Sequence, residues 1–359
     1  MAQDTDVIIA GAGLAGACAA FVLSARMQVH VVEADRPASG ASGAAAGLVN
    51  PFMGRRARPV WRLREALDAV STFLDAAGAE GLFPPQGVLR PVVDPDQEAP
   101  FRAAADEHPD LASWRSAADV RAAYPAVETE VGALHVPEGG AIDVPAMVEA
   151  LLTAATARGA TVETETPVVY WRETPGSAVV EVGRGSRTEE LRADRVLLTL
   201  GQGYRPFPEL GRLGLDGVKG QTVRVRRPAS LSGPLPPLSG RGYVVPDSAE
   251  TLILGSNYDN DFDDLRPDPQ ATAYIREKTA RMVPGVDETE VLDEWAGVRV
   301  KSKDSNLPVV GPLPRRDRIW TFTALGSKGL LTAPLLAREL PAYLDDPGTI
   351  PEAVRGPSD

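Results

Sequence analysis

The sequence predicts a mixed α/β fold that contains a Rossmann-like nucleotide-binding domain. Three features near the amino terminus predict it. Apolar, β-branched runs over 5–10 and 28–32 are typical of buried strands, and the stretch 14–24 between them has the composition of a helix. The turn after the first strand, Gly-Ala-Gly-Leu-Ala-Gly over 11–16, fits G-x-G-x-x-G. Strand, glycine turn, helix and strand in this order are the context that a dinucleotide fingerprint requires.

Each position of this fingerprint has a physical role. Gly11 permits the tight turn, Gly13 lets the backbone approach a pyrophosphate, and Gly16 lets the helix pack against the strand. The helix N-terminus offers free N–H groups and a partial positive charge to the phosphates. Glu33 ends the second strand, 22 positions after Gly11, where it can accept hydrogen bonds from an adenosine ribose. Three neighbours complete this part of the predicted cofactor site: Leu14, Ala15 and Ala34.

The composition is globular and acidic. The chain has 359 residues, with 43% hydrophobic and 24% charged side chains, and no apolar run reaches the ~18 residues of a membrane helix. A strand starts almost at once, so we expect no signal peptide. The single cysteine, Cys18, allows no internal disulfide and fits a reducing, cytoplasmic compartment. The net charge of −12 argues against broad nucleic-acid binding, although a local basic patch is compatible with it.

Two stretches after the fingerprint have alternative interpretations. The segment 35–50 is built almost wholly of small residues, as in a flexible linker or in a loop lying against a flat ligand; its position after Glu33 favours the ligand. Five arginines then follow in a short span, and they form either a solvated helix face or an anion-binding rim. They are Arg55, Arg56, Arg58, Arg62 and Arg64.

The remaining periodicity alternates between helices and strands. Helical patterns cover 60–74, 271–282 and a stretch beginning at Pro145, which Asp143 can cap and Gly159 ends. The polar segment 95–124 is expected to be a helical excursion. The other runs predict strands, at 87–93, 161–163, 168–171, 179–182, 190–192, 195–200, 218–225, 242–246, 251–255 and 319–323. The stretch 132–144 predicts a strand, a turn at 138–140 and the approach to a helix.

Three sequence blocks resemble the D-amino-acid oxidase superfamily of flavoenzymes, which includes glycine oxidase. They are ASGASGAAAGL over 38–48, WAGVR over 295–299 with KD and LPVVG after it, and ALGSKGLLTAP over 324–334. The resemblance implies FAD as the cofactor, with Ala41 and Ser42 near its phosphates and Val168 near its adenine. It also implies further flavin contacts from Ala46, Gly47, Leu48, Gly201, Gly326, Ser327, Lys328, Gly329, Leu330 and Leu331.

The resemblance also implies a chemistry. Arg299 occupies the position that pairs with the substrate carboxylate, and Tyr243 and Tyr258 lie on strands that either face the substrate or belong to the core. Lys328 is a further candidate catalytic residue. We expect oxidation of the C–N bond of a small carboxylate-bearing amine, with hydride transfer to flavin N5 and no side-chain base. The electron acceptor, oxygen or another molecule, stays open, and no metal site is expected.

One departure keeps a second function open. Glycine oxidase has an arginine where this chain has Ser327, and the loop is instead similar to the flavin domain of the bifunctional enzymes that mature tRNA wobble uridines. A tRNA-modifying oxidoreductase is therefore the alternative, disfavoured by the net charge. A non-catalytic flavin-binding sensor is a third possibility, which would leave Arg299 without a role.

The cofactor signals occur at both ends and in the middle of the chain, so two domains are expected to interleave. The FAD-binding domain is predicted from 1–75, 140–215 and 290–359. The β-rich substrate domain is predicted from 76–139 and 216–289.

Overall fold

The computed structural model describes residues 5–84, 86–231 and 233–357. Within these residues the strands, numbered in chain order, are β1 Val7–Ala10, β2 Val29–Val32, β3 Leu48–Val49, β4 Phe52–Met53, β5 Arg58–Pro59, β6 Val88–Pro91, β7 Ser113–Ser116, β8 Gly132–Val136, β9 Gly140–Ala141, β10 Thr161–Glu163, β11 Val168–Thr174, β12 Ser177–Arg184, β13 Arg187–Ala193, β14 Arg195–Leu198, β15 Leu215–Arg226, β16 Leu238–Ser239, β17 Tyr243–Pro246, β18 Thr251–Gly255, β19 Val291–Ser302, β20 Val309–Pro312 and β21 Ile319–Thr323. The α-helices are α1 Leu14–Leu23, α2 Leu63–Ala76, α3 Glu98–Glu107, α4 Ala117–Ala123, α5 Val144–Ala157, α6 Pro208–Gly211, α7 Pro269–Ala280 and α8 Gly329–Asp345.

A six-stranded sheet carries the amino-terminal motif. Its order is β10-β2-β1-β14-β21-β20, and all pairings are parallel except that of β20 with β21. Strand β1 is fully buried, and successive side chains of a strand point to opposite faces. Val7 and Ile9 accordingly belong to one core cluster with helices α1, α5 and α8, whereas Ile8 and Ala10 belong to another. This two-sided burial explains the continuous apolar runs in the sequence.

The second face of this sheet is covered by an antiparallel three-stranded sheet, β11-β12-β13. Trp171, Val180 and Val182 from the small sheet share a core cluster with Ile8 and Ala10. The expected hairpin over 179–182 and 190–192 is thus part of a longer meander, whose strands extend to Arg184 and start again at Arg187.

An eight-stranded sheet forms the other large layer. Its order is β19-β15-β18-β17-β16-β6-β8-β7, and α7 packs against β15 and β18. Strands β15 and β19 pair over most of their length, with Val218 opposite Arg299. Strand β19 therefore belongs to this sheet, although the sequence places 290–359 in the FAD-binding domain. The proposed division of the chain into two domains stays a prediction.

Local signals at the helix ends agree with the expectations. Asp143 caps α5 by accepting a hydrogen bond from the Ala146 N–H at 3.0 Å, and Gly159 follows the helix with a φ of +99°. The segment 95–124 differs, because it contains β7 between α3 and α4. Ser113 of β7 pairs with His135 of β8, so the strand is stabilised by its neighbour rather than by an apolar pattern of its own.

Candidate functional site

A cavity of about 810 Å³ lies between the two large sheets. On one side it is lined by the turns that follow β1, β2, β14 and β21, all at the carboxyl end of the parallel strands. On the other side it is lined by residues of β15, β17 and β19. The carboxyl edge of a parallel sheet is where α/β proteins bind their ligands, and a cavity of this size suits a large one.

Two glycines of the turn at this edge have no room for a side chain. Gly11 has a φ of +111°, and a Cβ there would lie 2.5 Å from the carbonyl oxygen of Thr199. Gly16 does not line the cavity, but its Cβ would lie 1.9 Å from the Gly11 carbonyl oxygen. The two glycines therefore bring α1, β1 and β14 into close contact, as the fingerprint predicts.

Glu33 and Ser42 order the backbone around the turn. Glu33 Oε2 accepts a hydrogen bond from the Ala12 N–H at 2.6 Å, and Oε1 accepts one from Asp35 at 3.1 Å. Ser42 Oγ accepts a hydrogen bond from the Leu14 N–H at 3.0 Å, at the start of α1. Both side chains line the cavity, so they fix the geometry of its walls.

The small-residue segment 38–48 packs closely against Ile142 and against β19. Gly47 has a φ of +73°, and a Cβ there would lie 1.7 Å from the Ile142 carbonyl oxygen. On β19, a Cβ on Gly297 would lie 2.8 Å from the Ala44 Cβ and 3.0 Å from the Ala41 Cα. Because larger side chains would separate these backbones, the segment is an ordered part of the cavity wall and not a linker.

Arg299 of β19 reaches across the eight-stranded sheet into the cavity. Its guanidinium passes over Gly220 of β15, where an added Cβ would lie 2.0 Å from Nη2. Nη1 donates to Ser256 Oγ at 3.3 Å and Nη2 donates to the Asn257 carbonyl oxygen at 2.9 Å. Within the described part of the chain no carboxylate forms an ion pair with Arg299, so the guanidinium can receive an external anion.

The two predicted tyrosines differ in exposure. Tyr243 packs over Gly255, and burial raises the pKa of its phenol above the usual value. Arg299 and a hydrogen bond to Ser256 oppose this shift only in part, so the phenol stays protonated at neutral pH. Tyr258 is 68% exposed, and its ring lies against the Arg299 guanidinium, with 4.4 Å between the ring centroid and Arg299 Cζ. Both residues line the cavity beside Arg299.

Helix α8 begins at the cavity. Its first residues, Gly329 to Leu331, line the wall, and the first N–H groups of a helix have no acceptor within it. The Lys328 ammonium is engaged by the backbone, because Nζ donates to the Asn306 carbonyl oxygen at 2.9 Å. Partial burial lowers the pKa of Lys328.

Most residues expected from the sequence lie along this one cavity. Those that line it are Gly11, Gly13, Leu14, Ala15, Glu33, Ala34, Ala41, Ser42, Ala46, Gly47, Leu48, Gly201, Tyr243, Tyr258, Arg299, Gly326, Ser327, Lys328, Gly329, Leu330 and Leu331. Besides Gly16, Val168 does not line it, and pairs with Val182 in the small sheet. The segment before Val168 nevertheless reaches the cavity edge, because the Thr166 N–H donates to the Glu33 carbonyl oxygen at 2.8 Å.

Lys278 is a lining residue that the sequence analysis did not single out. It lies on α7, is only 7% exposed, and donates from Nζ to the Ser256 carbonyl oxygen. Burial and the neighbouring Arg299 lower the pKa of Lys278 to about 8. A lysine in an otherwise polar helix carries no local signal, since its burial depends on the strands packed around it.

The arginine-rich segment is only partly available for binding. Arg55 lines the cavity and pairs with Asp96 at 2.9 Å. Arg62 pairs with Glu339 at 2.6 Å, and Arg64 forms an ion pair with Asp110. Arg55 thus reaches the cavity wall, but it is paired with an acid as Arg62 and Arg64 are. The anion-binding rim stays a prediction.

Neither a metal-binding cluster nor a membrane-spanning helix is found in the part of the chain that the structure describes. No group of three or more histidine, cysteine or acidic side chains is arranged to hold a metal ion in residues 5–84, 86–231 and 233–357. None of the helices formed by these residues has the length and apolar character needed to cross a membrane.

A Rossmann-type glycine turn, a cavity at the carboxyl edge of a parallel sheet and a second sheet on the other side of that cavity are typical of a dinucleotide-binding protein. The family model for DAO, the FAD-dependent oxidoreductases, matches residues 6–342. The chain therefore belongs to the DAO family, and its cofactor is FAD.

The chain is similar to two kinds of curated protein. Over 353 residues the chain is 30% identical to the tRNA 5-methylaminomethyl-2-thiouridine biosynthesis bifunctional protein MnmC of Idiomarina loihiensis, covering 94% of this chain and 55% of the relative. The chain thus spans about half the length of that protein. It is 26% identical to the glycine oxidase of Geobacillus kaustophilus over 363 residues, covering 93% and 91% of the two chains.

The solved structures agree on the fold. The crystal structure of glycine oxidase from Geobacillus kaustophilus superposes with a TM-score of 0.82 at 23% identity, over 95% of this chain and 94% of the other. The resemblance inferred from the three sequence blocks is confirmed, as are the mixed α/β fold and FAD.

Proposed function

We propose that this protein oxidises the C–N bond of a small, carboxylate-bearing amine. The observation that carries the proposal is the Arg299 guanidinium, which points into the cavity with no carboxylate partner among the described residues. A guanidinium offers a planar fork of donors that matches a carboxylate, and leaving it unpaired at a half-buried site is costly. A substrate carboxylate would supply the missing partner.

The glycine turn, Glu33 and the start of α8 fit FAD. Gly11 and Gly13 line the cavity where a pyrophosphate would approach the backbone, and Glu33 directly follows β2, where it would bind a ribose. The N-terminus of α8 places a partial positive charge on the cavity wall beside Gly329, where it would stabilise negative charge. When bound, FAD supplies an acceptor for the hydride that leaves the carbon next to the amine nitrogen.

Residues of the cavity wall orient the amine, and no histidine is placed to act as a base. Arg299 binds the carboxylate, and the protonated Tyr243 phenol can donate a second hydrogen bond to it. The histidines of this chain, His30, His108 and His135, do not line the cavity. A neutral amine needs no side-chain base, so positioning supplies most of the reduction in the barrier.

A substrate screen under anaerobic conditions tests the proposal. Holoprotein is mixed with glycine, N-methylglycine, N-ethylglycine and, as a control lacking nitrogen, lactate, and the flavin absorbance is followed. Bleaching by at least one amine and none by lactate is expected. A flavin that no amine bleaches, although dithionite does, contradicts the proposal. Timed mixing of the reduced protein with oxygen then separates an oxidase from a dehydrogenase.

A tRNA-modifying oxidoreductase is the second candidate. It is favoured by the similarity to MnmC, which extends over 94% of this chain. It is disfavoured by the net charge of −12, because a tRNA enzyme must neutralise several phosphates. Arg299 would bind the substrate carboxylate in both cases, because the two substrates differ only in the size of the group attached to the amine.

A further inference from the structure

A second positive charge stands beside Arg299. Lys278 and Arg299 both donate hydrogen bonds to Ser256, the lysine to its carbonyl oxygen and the arginine to its hydroxyl. They approach from different elements, α7 and β19, so the pair is created by the tertiary fold. Two cations bonded to one residue repel each other, and this repulsion contributes to the lowered pKa of Lys278.

The fold makes room for both cations by omitting side chains. Arg299 passes over Gly220, where a Cβ would lie 2.0 Å from Nη2. Lys278 passes beside Gly242, where a Cβ would lie 3.0 Å from the lysine Cε. The Tyr274 ring packs against the ammonium, with its centroid 4.7 Å from Nζ.

Neither charge is neutralised by the protein. In the described residues no carboxylate forms an ion pair with Lys278 or Arg299, and the acids that line the cavity, Glu33 and Asp35, both follow β2 at the nucleotide end. The buried Lys219 of β15 differs, because Asp264 lies 3.8 Å from its Nζ. Buried charges are normally paired, so the two cations require anions from outside.

A substrate with a single carboxylate would neutralise only one of the two cations, because the reacting amine is uncharged. We propose that the site prefers amines with two anionic groups, one held by Arg299 and the second by Lys278. This inference rests on the proposed function for its substrate class, and it makes Lys278 a specificity-determining residue.

Binding of unreactive ligands tests the preference separately from turnover. Diglycolate carries two carboxylates about an ether oxygen, and methoxyacetate carries one. Each is titrated into holoprotein at pH 7, and the dissociation constant is read from the perturbation of the flavin spectrum. We expect diglycolate to bind at least about tenfold more tightly, since a further ion pair in a desolvated site is worth about 1.4 kcal/mol or more.

Substitutions of single lysines test whether Lys278 causes the preference for two anionic groups. Lys278→Met should lower the ratio of the two affinities toward one, and Lys278→Arg should retain most of it. Lys219→Met removes another buried lysine that donates to a backbone carbonyl, outside the cavity, and should keep the wild-type ratio. Equal affinities in the wild type, or a Lys278→Met variant that weakens both ligands in proportion, would overturn the inference. Failure of every amine to bleach the flavin would instead contradict the proposed function.

Discussion

Arg299 is the residue on which the proposed chemistry depends. Replacing it with alanine should remove a desolvated charge pair and cost about 2–4 kcal/mol of transition-state stabilisation, a loss of roughly 30- to 1000-fold in kcat/KM. The measurement is the rate of anaerobic flavin reduction against the concentration of the best amine. Arg227→Ala is the control, because it removes a half-buried arginine that lies outside the cavity and donates to the Gly233 carbonyl oxygen. An Arg299→Ala variant with unchanged kcat/KM would show that this residue does not bind the carboxylate.

The lowered pKa of Lys278 predicts that anion binding depends on pH. Its pKa is lowered to about 8, so the cation is present below pH 8 and lost above it. Diglycolate has no amine to titrate, and burial keeps the nearby Tyr243 protonated. The groups facing Lys278 are Arg299 from β19, the Tyr274 ring and the Ser256 carbonyl. Diglycolate affinity should therefore fall as the pH rises from 7 to 9.5, and this fall should be absent in Lys278→Met. The same slope in both proteins would assign the titration to another group.

At the scale of elements, the close packing of α1 against β1 and β14 stabilises the carboxyl edge of the parallel sheet, where the cofactor site lies. A Cβ at Gly16 would lie 1.9 Å from the Gly11 carbonyl oxygen and 2.8 Å from Thr199 Oγ1. Gly16→Ala should force these elements apart, lower the free energy of unfolding by about 1–3 kcal/mol and weaken FAD binding. Thermal unfolding with and without FAD measures both effects. Gly211→Ala, in α6 with no atom within 4 Å of the added Cβ, is the control. Equal behaviour of the two variants would contradict the close-packing argument.

Elements whose signals are local were predictable from the sequence. The βαβ unit, the α5 cap at Asp143 and the strand Ile319–Thr323 follow from runs and spacings within a few residues, and so do the residues of the glycine turn. Strand β7 was missed, since Ser113–Ser116 has no apolar alternation and becomes a strand by pairing with β8. Lys278 was missed for the same physical reason, because its burial depends on Gly242 and Ser256 from other parts of the chain.

At the scale of the whole molecule, the net negative charge of the protein favours a small substrate over tRNA. The chain has 49 acidic and 37 basic residues. Three arginines of its densest basic run are already paired with acids, namely Arg55, Arg62 and Arg64. Net repulsion acts over a Debye length of about 8 Å at physiological salt. We therefore expect no tRNA binding at that salt concentration.

Reversing Arg55, Arg56 and Arg58 to glutamate provides the matching test. For a small anionic substrate the triple reversal should lower kcat/KM by less than about tenfold, through weaker steering, and high salt should remove the difference. The measurements are a tRNA filter-binding titration and a salt series of flavin-reduction rates. Tight tRNA binding by the wild type that the reversal abolishes would favour the tRNA enzyme.

The most direct test of amine oxidation follows the carbon–hydrogen bond itself. The best amine of the screen is prepared with deuterium on the carbon between nitrogen and carboxylate, and it is mixed anaerobically with holoprotein in a stopped-flow instrument. We expect slower flavin bleaching with the deuterated amine and one equivalent of the hydrolysed imine per flavin reduced. Bleaching at the same rate for both isotopologues, or bleaching without the carbonyl product, would contradict hydride transfer from that carbon.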